Sequence, residues 1–215
     1  MSLRIRTIVS MPFAENTYVV WLPGSKTSLV IDPGLEPEKI TDCLEEEGLS
    51  VAAILNTHGH ADHIGGNGHL KENFPDAPLI IGANESLLLT DANANMSAPF
   101  GLPIVSPPAD RLVHEGDVLE VAGIRLEVMD VPGHSPGHVV YLYRDQPNIL
   151  FGGDVLFRGS IGRYDFPNGD GRLLLEGIRR KLLTLAPDTL VYSGHGPVTT
   201  IGEEKLHNPF VGDAS

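Results

Sequence analysis

The sequence predicts an α+β fold in which two packed β-sheets carry helices on their outer faces. Three observations predict it: short β-favouring runs recur between Gly, Pro and Asp; each half has its strands early and a helical pattern later; and no linker separates the halves. We therefore expect residues 1–215 to form one domain. The 41% hydrophobic and 20% charged content is suited to an ordinary core without disulfides.

The first half of the chain predicts an antiparallel sheet followed by alternating helices and strands. Ile40, Cys43 and Leu44 stand at helical spacing before Gly48, so Cys43 is expected in the core. The expected strands are Arg4–Val9, Thr17–Leu22, Ser28–Ile31, Val51–Leu55 and Leu79–Ile81. The expected helices are Pro37–Glu47, a short one around Gly66–Asn73 and one near Glu85–Thr90.

The second half repeats the pattern after a long irregular segment. Asp91–Asp110 lacks periodicity, which predicts either a lid over a site or a surface crossover without function. Ala122-Gly123 is a hairpin signal. The expected elements are the strands Val118–Val121, Ile124–Val128, Val139–Tyr143, Ile149–Phe151 and Leu190–Tyr192, and a helix over Leu173–Leu185 ended by Pro187.

Composition excludes several classes of partner. The net charge of −13 opposes binding to nucleic acid or to an anionic membrane. No apolar stretch approaches the roughly 20 residues of a membrane span, and no signal-peptide pattern opens the chain. A single cysteine forms no internal disulfide, which agrees with a reducing compartment. We therefore predict a cytoplasmic protein that acts on small molecules, without a nucleic-acid or membrane partner.

Seven histidines and aspartates indicate a metal site. Four stand in residues 56–66, and the other three each follow an apolar run where a Gly or Pro turn begins; they are His58, His60, Asp62, His63, His134, Asp154 and His195. Their side chains are the nitrogen and oxygen donors that hold zinc, iron or manganese. The cluster of four donors and each of the three single donors follow a predicted strand. The donors are therefore expected at the carboxyl ends of the strands, where such folds place ligands.

The number of donors favours two adjacent metals, because five imidazoles and two carboxylates exceed one tetrahedral site. His58 and His60 point the same way from an extended segment, and the carboxylate of Asp154 has two oxygens with which to bridge two cations. Any single histidine could be an ordinary surface or core residue, but the whole set would be a poor dry core. The remaining histidines are expected on the surface or in a supporting role: His69, His114, His138 and His207.

The segment Thr57–Gly66, T-H-G-H-A-D-H-I-G-G, resembles the T-H-x-H-x-D-H-x-G-G signature of the metallo-β-lactamase superfamily. The downstream segments 132–138, 153–154 and 193–196 match in order. The resemblance implies an αββα sandwich of the metallo-β-lactamase type with a binuclear site between its sheets. It implies that His58, His60 and His134 hold one metal, that Asp62, His63 and His195 hold the other, that Asp154 bridges, and that Asp32 supports a ligand histidine. The alternative for Asp32 is a helix N-cap or turn residue.

Two further segments narrow the resemblance. Arg158–Asp165 resembles the loop after the bridging Asp in glyoxalase II, and residues 196–210 resemble the tail of short bacterial glyoxalase II-like proteins of the YcbL type. This implies a hydroxyacylglutathione hydrolase-like thioesterase with two divalent metals, zinc first and iron or manganese as alternatives, that share a hydroxide. Asp62 and Asp154 would be catalytic. Arg163 and Tyr164 would bind a thioester, such as a glutathione conjugate, unless Arg163 instead pairs with Asp165 or Asp170.

Other functions remain open on the sequence. A glutathione persulfide dioxygenase would use one iron held by His58, His134 and Asp154, and a lactonase would use the same hydroxide on a ring ester. A nuclease is disfavoured by the −13 charge, and a noncatalytic binding module by the complete donor set. The sequence does not predict the oligomeric state.

Overall fold

Two six-stranded β-sheets organise the computed structural model of the chain, which describes residues 2–213. The strands of the first sheet, in spatial as well as chain order, are β1 (Arg4–Ser10), β2 (Glu15–Trp21), β3 (Thr27–Ile31), β4 (Ser50–Leu55), β5 (Leu79–Gly82) and β6 (Arg111–Val113). Strands β1 to β3 pair antiparallel, as predicted, and β3 to β6 pair parallel.

The second sheet is mostly antiparallel. Its strands are β7 (Val118–Val121), β8 (Ile124–Asp130), β9 (Val139–Tyr143), β10 (Ile149–Gly153), β13 (Leu190–Ser193) and β14 (Thr199–Thr200); the short pair β11 (Leu156–Phe157) and β12 (Ser160–Ile161) forms a separate ribbon. The spatial order is β14-β13-β10-β9-β8-β7, and β10 and β13 are the parallel neighbours. The carboxyl ends of β10 and β13 therefore meet at one edge of the sheet.

In the described part of the chain, six α-helices accompany the sheets: α1 (Pro37–Glu47), α2 (Ala61–Ile64), α3 (Asn67–Asn73), α4 (Ser86–Thr90), α5 (Gly171–Gly177) and α6 (Ile201–His207). Helix α1 begins at Pro37, whose fixed φ suits a first turn, and Gly48 ends it in the left-handed conformation (φ 63°). Its buried face, including Cys43, is the predicted one. Within residues 2–213, no helix has the length and apolarity needed to cross a bilayer.

Three apolar clusters define the layers. The first lies between the sheets and includes Tyr18 of β2 and Phe151 of β10, whose ring centroids are 5.6 Å apart. The second joins α1 and α3 to the outer face of the first sheet, and the third joins α5 to the outer face of the second. The predicted αββα sandwich is confirmed. The first cluster draws on both sheets, which supports the prediction of a single domain.

The structure also differs from the predicted elements. The short elements that were not predicted are the strands β6, β11, β12 and β14 and the helices α2 and α6, because they carry too few residues to show a period. The predicted helix over Leu173–Leu185 is instead α5 followed by a π-helical turn, Ile178–Leu182. A 3₁₀ turn, Ala83–Glu85, precedes α4, and another, Ala98–Phe100, interrupts the predicted loop.

Candidate metal centre

Four strands deliver polar side chains to one edge of the sandwich. β4 of the first sheet leads to His58, and β8, β10 and β13 of the second sheet lead to His134, Asp154 and His195. The short helix α2 follows β4 and carries Asp62 and His63. All seven predicted donors converge here, although they are spread over 138 positions of the chain.

The first donor group, which we define as His58, His60 and His134, is buried between the sheets. One nitrogen of each ring lies within 4.8 Å of the others, and His60 Nδ1 is 2.8 Å from His134 Nε2. Burial lowers the pKa of all three imidazoles, that of His60 to about 3, with the neighbouring imidazoles adding to the effect. These histidines are therefore neutral at pH 7, which is the form that binds a metal.

The second donor group, defined as Asp62, His63 and His195, is less enclosed, and its ligand atoms also lie within 4.8 Å of one another. Asp62 Oδ2 is 3.4 Å from His195 Nε2 and 3.8 Å from His63 Nε2. Burial alone would lower the pKa of His195, but hydrogen bonds and charge from Asp154 and Asp62 outweigh it and raise the pKa to about 10. The pKa of His63 is raised in the same way.

Asp154 stands between the two donor groups. Its Oδ1 is 3.4 Å from His63 Nε2, and its Oδ2 is 3.6 Å from His134 Nε2 and 3.5 Å from His195 Nε2. Burial opposes the ionised form, yet the imidazoles, His63 above all, hold the pKa of Asp154 well below its usual value. A carboxylate in this position is able to offer one oxygen to each of two cations.

The histidine rings are oriented by acceptors on their Nδ1 atoms. Four such contacts occur: His58 to Thr57 Oγ1 at 3.1 Å, His63 to Asp32 Oδ2 at 3.2 Å, His134 to the Arg163 carbonyl at 2.8 Å and His195 to the Phe13 carbonyl at 3.2 Å. If each Nδ1 carries the proton and donates it, each Nε2 is left with a free lone pair toward the centre. This is the tautomer that a metal requires.

Unpaired polar atoms are a second sign that the donor groups bind divalent cations. Among the described residues, His58 Nε2, His63 Nε2 and Asp154 Oδ1 are buried polar atoms without a hydrogen-bond partner. Buried polar atoms are rarely left unpaired, so their convergence indicates a missing ligand. Zinc, iron and manganese all accept such ligands: the first donor group offers three nitrogens, the second offers two nitrogens and an oxygen, and Asp154 offers a shared carboxylate.

Asp32 lies directly after β3 and supports the centre from behind. Its carboxylate accepts hydrogen bonds from the Thr57 N–H and hydroxyl, both at 2.7 Å, and contacts His63 Nδ1. The helix N-cap alternative is wrong, because Glu36 occupies the N-cap position of α1. These contacts support the expected role beside a ligand histidine.

His138 is fully buried, which excludes the surface alternative and agrees with the expected supporting role. Its ring stacks on His58, with centroids 4.7 Å apart, and its Nε2 accepts the N–H of Asp154 at 3.0 Å. His138 therefore helps to position the carboxylate between the donor groups. His69 is half-buried, and His114 and His207 are exposed, as expected.

Glu85 is a supporting residue that the sequence did not reveal. Its buried carboxylate accepts the N–H of Gly59 at 2.8 Å and the N–H of Gly137 at 2.5 Å, so it joins the loop of His58 and His60 to the loop of His134. Burial raises the pKa of Glu85 to about 7, against the effect of these two donors. No local pattern distinguishes Glu85 from an ordinary residue at the start of a helix.

The ionisation of Glu85 is expected to make the folded state less stable as the pH rises. Because its pKa is about 7 in the folded protein and near 4.5 otherwise, the folded state binds the proton more tightly. The stabilisation is fully present below about pH 4.5 and is lost as the pH rises through 7, a change of about 3 kcal/mol. Urea unfolding of the wild type and of Glu85→Gln between pH 5 and 8 measures it.

Glu85→Gln should remove this loss of unfolding free energy with rising pH, since glutamine does not titrate. Glu72→Gln, at an exposed position of α3, is the matched control and should keep the wild-type profile. Parallel profiles for wild type and Glu85→Gln would contradict the assignment.

The loop after β12 differs from the prediction for substrate binding. Arg163 forms two bonds of 2.8 Å with Asp165 and lies 4.0 Å over the ring of Phe166, so the alternative of pairing with Asp165 is the one observed. Asp170 instead caps α5. Tyr164 is not on the wall of the cavity beside the donor groups; its ring lies against Gly171, and Phe166 takes the place on the wall.

That cavity has a volume of about 560 Å³ and reaches His60, Asp62, His134, Asp154 and His195. The predicted loop Asp91–Asp110 supplies part of its wall, through Met96, Phe100, Leu102 and Ile104. A small molecule held here would contact both donor groups at once. Movement of the loop as a lid stays a prediction.

An αββα sandwich whose two sheets bring histidines and aspartates together at one edge defines a class of metal-dependent enzymes. Comparison with known families agrees: the family model described as "Metallo-beta-lactamase superfamily" matches residues 11–195. The chain belongs to this superfamily.

Similar proteins extend over the whole chain. The hydroxyacylglutathione hydrolase GloC of Haemophilus influenzae is 38% identical, with 99% of this chain and 100% of GloC covered. Among solved structures, the BLEG-1 B3 metallo-beta-lactamase is 40% identical over 97% of this chain and 99% of its own, with a TM-score of 0.92. TTHA1623 in a di-iron-bound form is also 40% identical, over 95% and 99%, with a TM-score of 0.84.

Proposed function

We propose that the protein is a binuclear metallohydrolase that cleaves thioesters, in the manner of a hydroxyacylglutathione hydrolase. The observation that carries this proposal is the position of Asp154, whose carboxylate oxygens lie within 3.6 Å of histidine nitrogens from both donor groups at the wall of the cavity. The similarity to GloC over the full length supports the thioester as substrate.

The first donor group would hold one cation and the second donor group another, with Asp154 shared between them. When bound, such cations supply Lewis acidity, which polarises a carbonyl and lowers the pKa of water from 15.7 to about 7. Zinc is our first choice for both positions, with iron or manganese as alternatives that the same donors accept. The similarity to a di-iron protein supports iron as an alternative.

The residues of the chain position the reactants. Asp62 and Asp154 face the cavity and hold negative charge beside the raised-pKa histidines His63 and His195. The apolar wall excludes water from the acyl group. The leaving thiolate is a weak base, with a pKa of about 8.5 for a free cysteine, so hydrolysis of a thioester needs little proton donation from the protein.

A second candidate is hydrolysis of a β-lactam amide, because one of the similar structures is a B3 metallo-beta-lactamase with 40% identity. An amide nitrogen is a far stronger base than a thiolate and must gain a proton as it leaves. Apart from Asp154 and the two donor groups, the cavity wall in residues 2–213 carries one Lys, Arg, Asp or Glu, which is Arg163. A guanidinium does not give up its proton, so the thioester is the better substrate.

The test is elemental analysis of protein purified without chelator, together with an activity panel on the same sample. The panel contains S-lactoylglutathione, an N-acetylcysteamine thioester, a lactone and a β-lactam, with oxygen uptake on glutathione persulfide measured in parallel. We expect about two metals per chain and the highest kcat/KM on a thioester. One metal per chain with oxygen uptake, or a preference for the lactone or β-lactam, would contradict the proposal.

A further inference from the structure

Away from the metal donors, the wall of the cavity is mostly apolar, and its remaining polar residues are Asn95, Ser97, Ser160 and Arg163. Four phenylalanine rings line it, those of Phe13, Phe100, Phe157 and Phe166, and Met96, Leu102 and Ile104 add further apolar side chains. Phe13, Phe100 and Leu102 are exposed at the surface although they are apolar. Apolar side chains that are exposed together around a cavity often mark a ligand site, so the cavity is suited to apolar groups of a substrate.

Apart from the metal donors, the described part of the cavity wall carries one positively charged side chain, and that side chain is already paired. Within residues 2–213, Arg163 is the one lysine or arginine on its wall. Both bonds of its guanidinium edge go to Asp165, at 2.8 Å each, and its face lies 4.0 Å over Phe166. The carboxylate of Asp165 therefore occupies the two N–H donors of Arg163 that a substrate carboxylate would use.

Asp165 therefore acts against anionic substrates in two ways. It fills the binding edge of Arg163, and its own negative charge repels a second carboxylate brought to the same place. Asp165 itself is not on the cavity wall, so an uncharged substrate does not meet it. Discrimination of this kind comes from a residue that penalises the wrong ligand.

We propose that the site selects thioesters whose acyl and thiol parts carry no carboxylate, and that Asp165 is the residue that determines this specificity by masking Arg163. The inference rests on the proposed thioester hydrolysis. It implies that a glutathione conjugate, whose thiol part carries two carboxylates, is bound less well than a thioester of an uncharged, pantetheine-like thiol.

Binding of uncleavable thioethers tests the inference separately from catalysis. The probes are S-hexylglutathione, with two carboxylates, and S-hexyl-N-acetylcysteamine, with none, titrated calorimetrically into the metal-loaded protein. We expect the wild type to bind the uncharged thioether more tightly. Asp165→Asn should tighten binding of S-hexylglutathione about three- to tenfold, the effect of one exposed charge, and should leave the affinity for the uncharged thioether within about twofold.

The matched control is Asp76→Asn, which makes the same change in net charge at an exposed turn before the amino end of β5. It should leave both affinities unchanged. Equal or tighter binding of S-hexylglutathione by the wild type, an unchanged ratio in Asp165→Asn, or binding of neither thioether would overturn the inference. Absence of thioester hydrolysis with the expected binding ratio would instead overturn the proposed reaction and leave the specificity of the cavity established.

Discussion

Asp154→Ala is expected to lose the bound metals and at least about a thousandfold in kcat/KM for a thioester. The carboxylate of Asp154 contacts histidines of both donor groups, so its removal takes a ligand from each proposed cation at once. Loss of the carboxylate also removes the charge that keeps the pKa of His195 near 10, which changes the protonation of the second donor group. Elemental analysis and steady-state kinetics on the same preparation measure both effects.

The control for Asp154→Ala is Asp188→Ala, at an exposed turn before the amino end of β13, far from the donor groups. It should keep the metals and the activity. The thermal midpoint of Asp154→Ala is compared with that of the wild type after chelation, because the variant should behave as the metal-free protein does. An Asp154→Ala variant that retains two metals and full activity would refute the assignment of Asp154 as a shared ligand.

The two donor groups are expected to differ in how their metal affinity depends on pH. In the metal-free protein at pH 7 the histidines of the first donor group are neutral, whereas His63 and His195 are protonated, because their pKa values are raised. A cation entering the second donor group must displace about two protons, so its affinity should rise about a hundredfold per pH unit near neutrality. A cation entering the first donor group should displace none.

Calorimetric titration of metal-free protein with zinc, in buffers of different ionisation enthalpy, counts these protons. His195→Ala, which leaves His63 in place, should reduce the number released by about one. Equal proton release for both cations would show that the charge of Asp154 and Asp62 does not control the second donor group.

Much of the site was predictable from the sequence because each donor follows an apolar strand. His134, Asp154 and His195 stand just past the ends of β8, β10 and β13, and the common direction of those ends brings them together. The fold was predictable for the same reason, since buried strands give clear apolar runs. The assignment of these residues as metal ligands, and of residues 1–215 as one domain, stays a prediction.

Asp32 was predicted as a supporting residue from the resemblance, but Glu85 was not, because its role depends on contacts between distant segments. Glu85 lies 26 positions from Gly59 and 52 from Gly137, and no local period encodes those bonds. Tyr164, one residue before the aromatic position of the family, was the predicted aromatic of the site, but Phe166 lies at the cavity instead. The π-helical turn after α5 likewise preserves the apolar spacing of an α-helix, so the sequence did not distinguish them.

Each donor group takes ligands from both layers of the sandwich. His58 and His60 follow β4 of the first sheet while His134 follows β8 of the second, and Asp62 and His63 are likewise separated from His195. Ions held there would cross-link the two sheets. At a metal concentration a thousandfold above Kd, such binding adds about 4 kcal/mol to the free energy of unfolding. A cell starved of that metal would then keep a looser, more readily degraded chain, so metal supply would set the abundance of this enzyme as well as its turnover.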